Sequence, residues 1–524
     1  MTDGRHPPAG TPEPAALGID LGTTLSVVAQ VGADGLPAVL PNALGSATTP
    51  SVVFFDGTTA AVGQEAVRAL ATDPDDVVQL VKRHLGSDWS FGYRGISYRP
   101  EHVCALILRK LHADAARLAG PVTRAAVTVP AYFNDPMRAA TRRAAELAGL
   151  DVTGLLSEPT AAALAFGHDR RPEGVTGVVV DLGGGTFDVT VMEYEGSSLA
   201  VRATGGDFYL GGANFDMVLF DYLAERFRAE HGIDLADPDA FSVEECVQVS
   251  QDWLHLAAAA KHELTDRDAT CVPLAAAGLL LRVPVSRDTF VARSKQLLDE
   301  VSEKILQVLA AAGVAAADVG FVLAVGGSTR IPAVRERIAD IFGSPPDTSV
   351  PPDEAVALGA ALFAAQRQLE GGSLVAMDRS AREYLERLTI TDVAAHSVGV
   401  PVVGAAGQLM EPMLPRNTPL PVEASRTLLT ARPGERRIVL PVLEGEDPDP
   451  ALCRRIGEVV IDGLPPGRPA HQQVLVRMRL DSDGIVQVSA ADVETGMEAS
   501  TTIVHDNSQP SAAADRAVAA LTVR

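Results

Sequence analysis

One local pattern occurs twice in this chain and narrows its possible folds more than any other feature. An apolar strand runs into an Asp, then a glycine-rich turn carrying Thr, then a second apolar strand. The first copy is Leu17-Gly18-Ile19-Asp20-Leu21-Gly22-Thr23-Thr24-Leu25, continuing through Val27, Val28 and Val31. The second is Val178-Val179-Val180-Asp181-Leu182-Gly183-Gly184-Gly185-Thr186-Phe187-Asp188, continuing through Val189, Val191 and Met192. Each reads as a β-hairpin, since glycine bends tightly and leaves backbone N–H groups uncovered. Uncovered N–H groups in such a turn can cradle phosphate oxygens. Two copies far apart in sequence predict two related lobes facing each other across a cleft.

Between such turns the β- and γ-phosphates of a nucleotide would accept hydrogen bonds from Thr23, Thr24, Gly184, Gly185 and Thr186. Asp20 and Asp181, each at a strand end, would meet there and hold Mg2+ through water, because that ion keeps much of its hydration shell. Taken singly, either turn is just as readily a structural hairpin, and the pairing carries the argument. No G-x-x-x-x-G-K-[ST] string occurs, so P-loop enzymes are excluded.

Further along, Ala126-Val127-Thr128-Val129 is a buried strand stopped at Pro130. A helix follows, with Asn134 or Asp135 as N-cap, Pro136 in its first turn and Gly149 at its close. A third strand-turn-helix unit runs from Phe321 through Gly326-Gly327-Ser328-Thr329-Arg330 to a helix opened by Pro332 and ending near Gly343. Residues 353–369 are helical in pattern, and Gly371-Gly372 ends them. Beyond Leu388 the texture changes to short alternating β runs, such as Val476 to Leu480 turning at Asp483-Gly484 into Ile485 to Val488. A chain of 524 residues exceeds one core. The expected division is a flexible tail over 1–16, a nucleotide-binding unit over 17–372, a linker over 373–393, an all-β domain over 394–505 and a short tail over 506–524.

A net charge of −23 opposes broad contact with nucleic acid or anionic membranes. The four cysteines have no metal or disulfide spacing and read as reduced thiols. The first residues lack the apolar region of a secretory signal, and no apolar run is long enough to span a bilayer. A cytoplasmic monomer is the expectation.

These strings, with Val127-Thr128-Val129-Pro130-Ala131-Tyr132-Phe133-Asn134-Asp135, Glu158-Pro159-Thr160-Ala161-Ala162-Ala163 and Asp353-Glu354-Ala355-Val356-Ala357, are specific. From Leu17 to about His505 the chain resembles the seventy-kilodalton heat-shock protein family, the DnaK-type chaperones. The resemblance implies an α/β fold: an actin-like ATPase of duplicated ribonuclease H-like lobes, followed by an all-β sandwich that binds peptide. It implies ATP or ADP with Mg2+ as ligands, and unfolded client proteins as partners. By the same resemblance Lys82 is the catalytic lysine, Glu158 the acid that senses metal-bound water, and Asp20, Asp181 and Thr186 complete the catalytic set. Without the family, Lys82 reads as a solvated helix charge, and Glu158 as an acid favoured by a helix N-terminus. Asp188 either ligates a monovalent cation such as K+ beside the phosphates or caps its hairpin. Gly22 and Leu25 join the phosphate turn. Gly327, Ser328, Arg330 and Asp353 resemble adenosine contacts, and Lys261 and Thr265 fall where the family's lobe-closing helix meets base and ribose. Pro130 and Arg138 match the family's proline switch and relay arginine, and Asp392 the acid of its linker motif. Val400, Val403, Leu428, Ala431, Ile438 and Leu440 resemble peptide-contact positions; read alone, Ile438 and Leu440 are more readily sandwich core than groove.

The chain also departs from that pattern. Ala258 stands where relatives carry a ribose-binding Glu, a loss of about 1.5 to 3 kcal/mol if nothing replaces it. Gly154 and Ser157 replace the Arg and Asn that help dock a J-domain cochaperone, which weighs against that partner. A nucleotide-exchange factor remains an implied partner. The linker Leu388-Thr389-Ile390-Thr391-Asp392-Val393 has threonines for leucines and would bury less apolar surface when docked. The segment after His505 is too short for a helical lid, so bound peptide should exchange quickly. Two other readings compete: a slow nucleotide switch with one dedicated partner, and an actin-fold small-molecule kinase, which the long β domain opposes.

Overall fold

Each glycine-turn hairpin forms the centre of its own sheet in the computed structural model, which describes residues 13–170, 174–235, 237, 240–404, 407–502 and 512–524. Leu17–Asp20 pairs antiparallel with Leu25–Val31, bringing Asp20 opposite Val27. Arg124–Val129 and Asp151–Ser157 extend that sheet in parallel on the Leu17 side. The second copy repeats the plan: Val175–Leu182 pairs antiparallel with Phe187–Glu195, and Phe321–Val325 lies parallel on its outer side. Central strands covered on both faces need near-continuous apolar sequence, which is what both hairpins supply.

The strand period of two sorts these side chains between different cores. Val178, Val180, Val189 and Val191 face the core of the second lobe. Val179 and Met192 face a middle cluster, which Val27, Ala29 and Val31 enter from the first hairpin. The helices Glu158–Arg170 and Ala355–Glu370 fill that middle cluster. Their packing is backbone-close: a Cβ at Gly18 would lie 2.0 Å from the Ala361 nitrogen, and one at Gly359 would lie 1.7 Å from the Ala161 oxygen. Glycine at these two places sets the distance between the lobes.

Beyond the lobes, two four-stranded antiparallel sheets face each other. One runs Gly407–Leu414, Val398–Gly404, Arg437–Glu444, Arg454–Asp462, and the other Val422–Leu429, Gln473–Leu480, Val486–Asp492, Glu498–Thr502. Their inward side chains, among them Val400, Val442, Val476 and Val488, form a separate core. No described helix is long and apolar enough to cross a membrane.

Three segments differ from the sequence expectation. Residues 1–12 of the expected tail lie outside the described residues, but Ala15 and Ala16 are buried, Ala16 N–H donates to Gln368 Oε1 at 2.8 Å, and Glu13 bridges Val375. The stretch 373–393 is not an extended linker throughout. It holds the helix Arg379–Arg387, anchored by buried Leu385, and then Thr389–Thr391, which adds a parallel strand beside Ser198–Asp207. Its threonines do not hinder this, because the pairing uses backbone groups.

Residues 506–511 of the last stretch lie outside the described residues, whereas residues 512–524 form a short helix and strand that pack on the first lobe. The helix Ala512–Ala520 buries Ala514 and Val518, one turn apart. Asp515 accepts a hydrogen bond from Arg143 at 2.6 Å and pairs with His102 at 3.0 Å. Thr522–Val523 then adds a parallel strand to Thr59–Val62, and Arg524 reaches Asp56 at 2.9 Å. Small side chains disguised this contact in the sequence, since an Ala-rich helix shows only a narrow apolar stripe. Deleting 512–524 exposes the pockets of Val518 and Leu521, each worth about 1.5 to 3 kcal/mol of burial. The melting temperature of the first lobe should fall by about 5 °C or more. An unchanged melting curve would show that the segment contributes nothing there.

Candidate functional site

The two glycine turns touch. A Cβ at Gly184 would lie 2.0 Å from Thr24 Oγ1, and one at Gly185 would lie 2.5 Å from Thr23 Cγ2. Only side-chain-free turns can approach so closely. Each turn is held from within: Gly183 N–H donates to the Thr186 carbonyl at 3.0 Å, and Gly22 N–H to Ser26 Oγ at 3.2 Å. The third turn joins them through Ser328 Oγ, which donates to the Gly183 carbonyl at 2.9 Å.

Around the contact lies a cleft of about 1050 Å³. Asp20, Gly22, Thr23, Thr24, Leu25, Lys82, Glu158, Asp181, Gly184 and Thr186 line it, as do Lys261, Thr265, Gly327, Ser328, Arg330 and Asp353. Two expected residues do not. Gly185 lies against Thr23 and Arg83 outside the lining, and Asp188 is buried, accepting the Tyr132 N–H at 3.0 Å. Lys261 pairs with Asp216 at 2.7 Å, and Arg330 pairs with Asp353. Ala258 lines the cleft beside His255 and His262, leaving no carboxylate at that position.

Lys82 is no solvated helix charge. It occupies a short 3-10 turn, Val81–His84, is 2% exposed and is paired with Glu158. Burial works against its charge, but Glu158, Asp20 and Asp181 together hold its pKa above the ordinary value. Burial and then Glu158 push Asp20 up to about 7, with Lys82 offsetting part of the effect. Burial and Glu158 push Asp188 to about 7 as well. Asp181 is raised well above its ordinary value by burial, Glu158, Asp188 and Asp20.

Four carboxyls around one lysine make an electrostatic deficit that a cation relieves. Carboxylate oxygens are the donors a hard divalent ion takes. Among the described residues no three such side chains converge at direct-ligand spacing. Asp20 and Asp181 face the cleft and would hold such an ion, with Asp188 behind them.

A second polar junction joins the two lobes to the β domain. Arg138, buried, donates from Nη1 to the Asp483 carbonyl at 3.1 Å, and from Nε and Nη2 to the carbonyls of Phe133 and Ala131. Arg142 pairs with the Asp483 carboxylate, which also accepts the Leu155 N–H at 3.1 Å. Asp135 Oδ1 accepts the Val486 N–H at 2.6 Å, and Asn417 Oδ1 accepts the Thr204 N–H at 3.2 Å. The Asp483-Gly484 hairpin, legible as a turn, is therefore also a docking finger. Any side chain at Gly154 would meet the Phe363 ring at 2.9 Å and approach Asp483. The Pro130 carbonyl accepts the Phe133 N–H at 3.1 Å. Asp392 turns toward the β domain, its carbonyl accepting the Leu420 N–H at 2.8 Å.

Of the six expected groove positions, Val400 and Leu440 are sealed in the sandwich core, Leu428 and Ile438 are half-buried, and Val403 and Ala431 are exposed. Strand alternation explains the first pair, whose side chains point inward. Sequence reasoning missed Arg83, Asp216 and Glu444. Arg83 adjoins Lys82, but nothing in a linear sequence says that neighbours on a 3-10 turn point to different lobes.

A family model described as Hsp70 protein matches residues 16–92 and 90–522. The chaperone protein DnaK of Thermosipho melanesiensis is 38% identical over 490 residues, covering 92% of this chain and 79% of that protein. DnaK of Thermotoga maritima is 38% identical over 496 residues, covering 93% and 80%. DnaK of Deinococcus proteolyticus is 38% identical over 519 residues, covering 93% and 78%.

The junction buries Glu444 beside Asp135, whose N–H it accepts at 3.4 Å, and no ion pair to Glu444 occurs among the described residues. Burial and then the Asp135 charge push it from 4.5 up to about 8, against weaker opposition from the Asp135 N–H bond, Arg454 and Arg138. His396, whose Nε2 donates to the Tyr132 carbonyl at 3.0 Å beside Arg416 and Glu446, is pushed by burial from 6.5 down to about 4. With Glu444 raised by its burial in the junction, its support for the junction is full below 4.5 and lost as pH rises through about 8. With His396 lowered, its support is present above 6.5 and lost as pH falls toward 4. Of these two groups only Glu444 responds between 6.5 and 8, so its contribution to docking should weaken as pH rises, by at most about tenfold per pH unit. Small-angle X-ray scattering across that range should show the β domain releasing, and Glu444→Gln should flatten the response. A pH-independent wild type would contradict this.

Proposed function

The chain belongs to the Hsp70 family, and from that premise we propose how it works as an ATP-dependent molecular chaperone. It hydrolyses ATP in the cleft between the two glycine turns and binds extended apolar segments of unfolded proteins with its β domain. The observation that carries this reading is the contact of the two turns directly over a buried acid cluster containing one lysine.

Thr23, Thr24, Gly184 and Thr186 are placed to donate to phosphate oxygens from opposing sides. Mg2+, when bound, neutralises charge that develops on those oxygens. Glu158 accepts from Lys82 and keeps its ammonium aimed into the cleft, where it orients the attacking water and screens the γ-phosphate. Lys261, Thr265, Ser328, Arg330 and Asp353 hold the adenosine end, with lower affinity than relatives because Ala258 brings no carboxylate. Asp188 holds a K+ ion or braces Tyr132.

Nucleotide state passes to the β domain through Pro130, Arg138 and Asp392. Arg138 supports this, since one guanidinium binds both the Pro130-to-Phe133 turn and the Asp483 finger. Peptide binds at the rim formed by Val403, Leu428, Ala431 and Ile438 through backbone hydrogen bonds and one buried aliphatic side chain. The protein acts in the cytoplasm as a monomer, with a nucleotide-exchange factor and without a standard J-domain cochaperone; the crowding at Gly154 by Phe363 and Asp483 supports the last point.

Single-turnover hydrolysis tests the reading. Lys82→Ala should slow it by about a hundredfold or more while changing ATP affinity far less, and an apolar heptapeptide should accelerate the wild type. A variant as fast as wild type would remove Lys82 from the chemistry. An ATPase indifferent to peptide would favour a nucleotide switch with one dedicated partner.

A further inference from the structure

Lys82 and Arg83 are neighbours on one 3-10 turn of the first lobe, yet they serve opposite directions. Lys82 enters the acid cluster, whereas Arg83 crosses the cleft to the second lobe. Its Nε and Nη2 donate to the Gly185 carbonyl at 3.0 and 2.8 Å. Nη2 also donates to Asn214 Oδ1 at 3.1 Å and to the Tyr209 carbonyl at 3.3 Å. Asn214 lies in the first turn of the helix Gly212–His231, and its Oδ1 also accepts the Gly211 N–H at 3.0 Å. That helix start is itself tied to the second glycine turn: Gly212 and Ala213 N–H groups donate to the carbonyls of Gly183 and Gly184, both at 2.9 Å. A Cβ at Gly185 would lie 2.9 Å from Arg83 Nε and 2.5 Å from Thr23 Cγ2, so the turn is gripped between the guanidinium and the first lobe's threonine.

We propose that Arg83 is a positioning residue for ATP hydrolysis, a cross-lobe clasp that fixes the second phosphate turn and must let go before nucleotide leaves. The proposal rests on the cleft being the ATP site. A trans peptide holds the Gly185 carbonyl and the Thr186 N–H antiparallel, so pinning the carbonyl also fixes where that N–H points. Guanidinium is suited to this, because its rigid fork gives two N–H groups to one acceptor and a third direction to Asn214. The same bonds join the lobes at the turn itself. When the lobes part, they break together, and the Lys82-bearing segment loses its fixed relation to Gly185 and Thr186.

Stopped-flow release of a fluorescent ADP and single-turnover hydrolysis at saturating ATP test this in the full chain. Arg83→Ala should release ADP about 10- to 100-fold faster, the range expected for losing charge-assisted hydrogen bonds, and should hydrolyse bound ATP about tenfold more slowly. Arg83→Lys should fall between the two, since an ammonium can reach one acceptor but not grip it with a fork. If Arg83→Ala keeps the wild-type rates of ADP release and hydrolysis, the proposal is overturned, whatever its melting temperature. If wild type itself binds no adenine nucleotide, the ATP reading of the cleft and the role of Arg83 fall together, a result distinguishable from failure of the clasp alone.

Discussion

The distance between the two lobes is set by backbone-to-backbone packing at the middle core. Helix Ala355–Glu370 lies against the strand carrying Gly18 and against helix Glu158–Arg170 at Gly359, at separations that admit no Cβ. Tight packing of this kind transmits small displacements rather than absorbing them. The glycine turns, one on each sheet above that core, therefore meet with Thr23 and Thr24 against Gly185 and Gly184. A phosphate cradle from two lobes needs this rigidity, because a displacement of about 1 Å would separate its donors.

The electrostatics of the cleft follow from the same geometry. Strand ends brought together place Asp20, Asp181 and Asp188 near Glu158, and burial makes their shared negative charge expensive. Lys82 answers part of it by pairing with Glu158, and the remaining deficit suits a hydrated divalent ion. Chemistry and stability thus pull in different directions here, as is common at sites built from buried like charges.

The parts of this architecture legible in the sequence were those governed by local rules. Hairpins, glycine turns, the Asn134 cap and the alternating β runs all announce themselves over ten residues or fewer, and the duplicated pattern gave the cleft. What the sequence hid depends on partners distant along the chain. Lys82 looks like a surface charge until Glu158 is placed beside it, and Arg83 looks redundant until Gly185 and Asn214 face it. The segment 512–524 has too little apolar character to advertise docking, yet Arg524 and Asp515 lock it to the first lobe through charges hundreds of residues away. Val400 and Leu440 show the converse limit: alternation says that a side chain points to one face, but not whether that face is groove or core.

The central claim is that turns from opposing lobes, in contact with each other, together line the one cleft that holds the nucleotide phosphates. Isothermal titration of ATP at millimolar Mg2+ into wild type and Gly184→Ala tests it most directly, because the added methyl must displace Thr24 of the other lobe while the backbone there needs no glycine. Wild type should bind, and the variant should lose affinity by about tenfold or more. Equal affinity in the two proteins, or no binding by wild type, would contradict the account.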